Sequence, residues 1–384
     1  MNDKKEKERK VLLPAEAGVL VGENIYFFSS EYNLLYKVDI PDFSVSIVSR
    51  IPCNRVIASK WFRKMRYWKG KLILIPSCAE KVWIYELNTG VWTDIDIEHS
   101  QIPLKFFGSV IYQDTAFLFG AAYPGILKIN LNDYSAAHLD IICPPEQKKE
   151  DIGLFCTDAI KAGNIVFSPI SISNHVMWLD LDTDKYGWQQ IGSAENEYCG
   201  IDRDEDGFWI PSWEHGKIVN WDGGEKWEEF ELPAEIANRR YQFTGAVCDG
   251  NKIRFLTIQD GKSLEIWKGI SGERQIVLTE ETKKYVHAEH YEDGTIVFMR
   301  NDGAIDVKWE GTWLEGICEI DYKEFAAFFG DEALWSFLAE KEIANETKIF
   351  DVNDYLKMVA EKQKTNVDFL NDPSMGMSIW KILA

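Results

Sequence analysis

Several familiar kinds of chemistry are missing from these 384 residues. No run approaches the ~18 consecutive apolar residues of a membrane span. The start, "MNDKKEKERK", has no apolar core of the kind an export signal needs. Also absent are the H-E-x-x-H metal motif, the phosphate-cradling Gly-Lys-Ser/Thr loop and the G-x-S-x-G elbow. The seven cysteines are odd in number, scattered, and never spaced C-x-x-C. That pattern reads as free thiols in a reducing compartment, and the expected location is cytoplasmic. Phe155-Cys156 and Tyr198-Cys199 repeat an aromatic–thiol pair, which suits small buried thiols better than reactive ones. No cofactor and no metal is expected. With a net charge of −20 the surface repels a phosphate backbone, so nucleic acid is not an expected partner.

Apolar residues make up 46% of the chain and aromatics 13%, with 15 tryptophans, so the chain folds and buries a large core. The stretch "DEDGFWIPSWEHGKIVNWDGGEKW" at 204–227 is a strand, a turn, a second strand and a further turn. The same grammar recurs in "GKLILIPSCAEKVWIYELNTGVWTDIDI", "GNIVFSPISISNHVMWLDLDTDKYGWQQI" and four other places. Marking each unit at the start of its second strand gives Asn24, Lys71, Thr115, Asn164, Phe208, Lys252 and Thr295, in steps of 43 to 49 residues. The runs are rich in aromatic and β-branched residues, and Asp-Gly or Asn-Thr-Gly turns separate them, which is a hairpin signature. A further short strand precedes each marker, as in "FFGSVIY" and "YVHAEHY". Repeating four-stranded antiparallel units of this period are β-propeller blades, and ring closure shields their edges. The spacing therefore predicts an all-β, seven-bladed propeller over 15–320, with six blades as the alternative. Residues 1–14 are expected to be a charged segment. Residues 321–384 show helical spacing of apolar residues and are expected to form a small helical tail that packs on the propeller or docks from it.

"WIYELNTGVWTDI", with Tyr85 followed by Trp92, resembles the second half of a kelch repeat, and the segments around Trp188 and Trp227 are similar. The kelch double glycine after the second strand is replaced by Ser29-Ser30, Pro76-Ser77 or Gly120-Ala121. The 204–227 blade resembles those of streptogramin-lyase-type and two-component-sensor propellers. The tail resembles that of bacterial propeller proteins, some associated with cell-surface polysaccharide genes. These resemblances imply the fold; propellers serve as enzymes, ligand binders and docking platforms alike.

Candidate site residues follow from chemistry and from position in a blade. Glu214 and His215 fall in the turn between the second and third strands of the fifth blade, on the face that also carries the links between blades. Trp213 beside them and Tyr123 in the third blade are expected ligand contacts there, whereas Trp209, Trp221 and Trp227 read as blade core. In "HAEH", His287 and His290 are three apart on a strand and point to opposite faces, so they cannot chelate one ion; His287 and Glu289 share a face. Residues 43–79 contain no acid and hold Arg50, Arg55, Lys60, Arg63, Lys64, Arg66, Lys69 and Lys71, a local inversion of sign. Arg239 and Arg240 sit in another interblade link. Arginines with aromatics suit an anionic ligand, because the guanidinium fork matches carboxylate or phosphate. The sequence thus points to a non-catalytic propeller that binds an acidic or phosphorylated glycan, an acidic peptide or a protein partner. The alternative is a lyase or epimerase acting on a glycan or cyclic ester, with Glu214, His215 or His287 as acid/base groups.

Overall fold

The computed structural model describes residues 10–30, 32–52, 61–144, 153–213, 216–239, 241–257, 262–269, 273–280, 283, 285–300 and 302–329. Seven four-stranded antiparallel sheets follow one another along the chain. Blade one is Ala17–Val21, Asn24–Ser29, Leu34–Asp39 and Val45–Arg50, and blade two is Phe62–Trp68, Lys71–Pro76, Lys81–Glu86 and Val91–Asp96. Blade three is Phe106–Tyr112, Thr115–Gly120, Ile126–Asn130 and Ala136–Leu139, and blade four is Ile160–Ala162, Ile165–Pro169, His175–Asp180 and Tyr186–Gln190. Blade five is Asp202–Asp204, Gly207–Ile210, Ile218–Trp221 and Trp227–Phe230. Blade six is Gly245–Asp249, Lys252–Leu256, Lys262–Lys268 and Arg274–Glu280, and blade seven is Tyr285–His290, Ile296–Arg300, Ala304–Trp309 and Thr312–Ile317. Each repeat marker lies within one residue of the start of a second strand. The protein is a seven-bladed β-propeller, not a six-bladed one.

Local sequence explains the hairpins. Trp68 pairs with Lys71 around Lys69 and Gly70, both at positive φ (44° and 82°), as a two-residue hairpin of matching twist requires. Aspartates close the later turns by accepting backbone N–H groups two residues on, as Asp180 does from Asp182 and Asp222 does from Gly224.

The core is a ring of interblade layers. Seven apolar clusters fill the seven junctions, including the one where blade seven meets blade one through Val297, Met299, Ile305, Ile25, Phe27 and Tyr36. A two-stranded clasp adds to that closure. Lys10–Leu12, inside the segment expected as a charged tag, pairs antiparallel with Glu319–Asp321. A helix, Tyr322–Phe329, follows directly, and its Phe325 packs edge-on against Tyr32 with ring centroids 5.1 Å apart. The rest of the expected helical tail lies outside the described residues. No helix among the described residues is long and apolar enough to cross a membrane.

Candidate functional site

Each innermost strand starts at the face carrying the interblade links, and these strands line the central channel. Three of them are bulged near that start: the pairing skips Arg63 in blade two, Phe107 in blade three and Val286 in blade seven. A bulge re-aims the extra side chain. Here it brings Arg63 over the Phe107 ring, with the guanidinium carbon 5.2 Å from the ring centroid.

Lys64 and Arg66, on the same strand, reach across the channel. Lys64 Nζ lies 2.5 Å from Asp158 Oδ1, just ahead of blade four, and 3.6 Å from Glu289 Oε1 on blade seven. Arg66 Nη1 is 3.4 Å from Glu289 Oε2, and its Nε donates to the Ser109 carbonyl at 3.1 Å. His287 Nε2 meets Glu289 Oε1 at 2.9 Å. On the opposite face of the same strand, His290 Nδ1 is 3.0 Å from Asp202 Oδ2. The two histidines do point apart, and the described residues include no group of three or more ligating side chains that could hold a metal ion.

Burial alone raises the Glu289 carboxyl, but Lys64, Arg66 and His287 outweigh it and hold the group well below the usual carboxylate range. Burial lowers His287; Glu289 pulls it back up, and Arg63 and Lys64 push it further down. Its imidazole is therefore neutral at pH 7. Burial also lowers Arg63, against the pull of Asp158 and Glu289. A guanidinium keeps its charge regardless.

Three cations of the acid-free run 43–79 have found acids elsewhere, and a fourth has found a tyrosine. Lys64 and Arg66 are paired as above, Lys69 meets Asp114 at 2.8 Å, and Lys71 donates to the Tyr134 hydroxyl at 2.6 Å. Arg63 is different. Among the described residues it has neither a carboxylate within ion-pair distance nor a hydrogen-bond acceptor, only the Phe107 ring.

Arg55, Lys60, Glu214, His215 and Arg240 lie outside the described residues. Trp213 is half-buried in the core between blades five and six, its ring 5.3 Å from that of Tyr241. Arg239 follows the short helix Ala234–Ala237 of the neighbouring link, with Nε donating to the Glu235 carbonyl at 3.1 Å. These two share the link-bearing face with Arg63 but occupy a different sector, and no contact among the described residues joins them to it.

Tyr123 is not on the rim. It is fully buried, its hydroxyl 3.1 Å from His138 Nδ1 and its ring 4.6 Å from Phe106, and burial pushes its pKa up to about 12. The turn folds inward there because Gly120 has no side chain: a Cβ would lie 2.2 Å from the Tyr123 carbonyl oxygen. Trp209 and Trp221 are fully buried as expected, but Trp227 is 47% exposed. Asp158 and Phe107 escaped the sequence reading. Phe107 was detectable, since it holds the same place in "FFGSVIY" as Arg63 holds in its own strand. Asp158 left no local signal.

No family model matches the chain, and no curated protein matches it by sequence. Among solved structures, a streptogramin B lyase is similar with a TM-score of 0.59 and 13% identity, over 76% of this chain and 94% of its own. BamB from Moraxella catarrhalis is similar with a TM-score of 0.53 and 10% identity, over 80% and 90%. A chain of the mitotic checkpoint complex is similar with a TM-score of 0.55 and 11% identity, over 77% and 89%. At such identities the likeness concerns the fold. The three neighbours carry unlike functions, as a shared scaffold permits.

Proposed function

We propose that this propeller is a non-catalytic binding module that takes an anionic ligand on its link-bearing face, at the mouth of the central channel. The observation that carries this reading is Arg63, a charged, half-buried guanidinium stacked on Phe107 and left without an acceptor among the described residues. With Lys64 and Arg66 it makes three cations against two carboxylates (Asp158 and Glu289), in a molecule that is otherwise strongly acidic. A carboxylate or phosphate would supply the missing partner of the fork and neutralise the excess charge. Acidic glycans, phosphorylated glycans and acidic peptides all present such a group. The buried thiols of Cys156, Cys199 and Cys248, none of them in a disulfide, fit a cytoplasmic setting for this binding.

The test is calorimetric titration of the full chain with inorganic phosphate, a galacturonate oligomer and a glutamate-rich peptide. At least one should bind, and Arg63→Ala should weaken it roughly tenfold or more, the loss of one charge-assisted pair. Binding that is indifferent to Arg63→Ala sinks the reading.

One observation favours a second reading. His287 is held neutral against Glu289, next to Arg63, which is how a general base beside a carboxylate-binding cation would be arranged. A lyase or epimerase on this site would lose turnover in His287→Gln and keep ligand binding.

A further inference from the structure

Among the described residues, the junction between blades six and seven has the smallest apolar cluster. Its apolar cluster consists of Val247, Leu256, Tyr285, Ile296 and Phe298, and charged side chains continue the packing. Glu265 is only 3% exposed and receives Arg254 Nε at 3.0 Å and Lys252 Nζ at 3.4 Å. Arg254 stacks across the junction on Phe298, 5.3 Å from its ring centroid. Lys308 of blade seven pairs with Asp249 of blade six.

Two tryptophans border this charged floor. Trp267 is next to last in its strand and Trp313 is second in its own, so both sit at the end of the junction remote from the interblade links. Trp267 donates its indole N–H to Glu265 Oε2 at 2.9 Å, and Lys252 covers one side of its ring at 5.7 Å. Trp313 leans on Phe298 at 5.6 Å between centroids, tilted by 32°. Glu265, Arg254 and Phe298 thus form an unbroken chain of contacts from one indole to the other. The indoles do not touch each other, and they are 45% and 42% exposed. Within blade two Trp83 and Trp92 meet at 6.1 Å, and in blade five the Trp209 and Trp221 rings are fully covered.

The geometry points to a saccharide-binding groove at the outer end of the blade six–seven junction, with Trp267 and Trp313 as platforms and Lys252, Glu265, Arg254 and Lys308 as its polar floor. A pyranose offers an apolar C–H face to an indole and hydroxyls along its edge. Hydroxyls can both donate and accept, so they suit a floor where cations and carboxylates are already paired. An apolar peptide face would strip water from the exposed parts of Lys252 and Lys308 and offer no hydrogen bond in return. A nucleic acid would meet the net charge of −20 without enough unpaired cations to offset it.

The test uses the full chain, labelled with 15N at the indole nitrogens, and soluble hexasaccharides of glucose, N-acetylglucosamine, xylose and galacturonic acid as probes. Trp267→Phe and Trp313→Phe identify the two indole signals, because each removes one. At least one hexasaccharide should shift both signals at millimolar concentration or below, with saturation transfer strongest at the sugar's ring-face protons. Trp267→Ala and Trp313→Ala should each weaken it by roughly tenfold, the worth of one stacking contact. Trp227→Ala, at an equally exposed indole on blade five, should leave it unchanged. The inference is overturned if none of the four sugars shifts these signals, or if shifts are confined to other indoles. It is independent of the channel-mouth site, so either can fail without the other.

Discussion

Lys105 is the most exposed to test among the single residues, because its cost to the fold can be read directly. It lies wholly buried in the link between blades two and three, where its Nζ donates to the Ile102 carbonyl at 2.6 Å. Burial lowers its pKa to about 8, outweighing the pull of Cys78 and Glu80. Holding an ammonium near 8 when the free side chain sits at 10.5 costs the folded state roughly 3 kcal/mol. Lys105→Met removes that cost and gives up one hydrogen bond of about 1 kcal/mol, so a net gain on the order of 2 kcal/mol is expected. The pH dependence carries the sign. Below pH 8 both folded and unfolded chains hold the proton, and the penalty is full. Between about 8 and 10.5 the folded chain releases it first, so wild-type stability rises with pH. Urea denaturation of the two proteins should show a gap that is widest at neutral pH and narrows towards pH 10. A constant gap would mean that the lysine is solvated and charged in both states.

At the scale of elements, the clasp is the feature the sequence concealed. Lys10–Leu12 sits beside a run of charged residues, and three residues are too short a strand to show alternation. Its partner Glu319–Asp321 is equally short and lies where the helical pattern begins. Each blade is one continuous stretch of chain, so the first and last blades share no sheet. Their junction relies on side-chain packing and on this clasp, where Val11 and Ile320 are 1% and 2% exposed. Val11→Asp places an unpaired carboxylate in that layer and should cost on the order of 3 kcal/mol. A fall of several degrees in the melting midpoint is expected. An unchanged midpoint would show that packing between blades one and seven closes the ring unaided.

For the molecule as a whole, the ring is pinned across its centre as well as around its rim. Lys64 and Arg66 of blade two, Asp158 before blade four, and Glu289 of blade seven join blades that are not neighbours. Breaking a buried pair from one side leaves its partner uncompensated, which costs about 3 kcal/mol. Glu289→Gln strands Arg66 and half of the Lys64 contact in this way. The expected result is one cooperative unfolding transition at lower denaturant, since every blade depends on the closed ring. A second transition at unchanged midpoint would mean that blades two and seven unfold apart from the rest.

The blade count, the strand positions and the buried thiols could be read from the chain itself. Hairpin turns, alternation of apolar residues and a period near 44 act over a few residues to a few tens, and sequence order preserves them. The meeting of charges could not. Lys64 finds Asp158 across 94 positions and Arg66 finds Glu289 across 223, because closing a ring sets inner strands face to face whatever their order. The acid-free run therefore looked like a broad basic surface, yet Lys64, Arg66, Lys69 and Lys71 are used within the protein. Tyr123 and Trp227 exchanged their expected places for the same reason: the pattern marks an aromatic position, but the neighbouring blade decides whether it is covered. What was legible was the rhythm of the fold. Which arginine is left without an acid among the described residues, and which two tryptophans stand open at a junction, depended on how seven similar blades met.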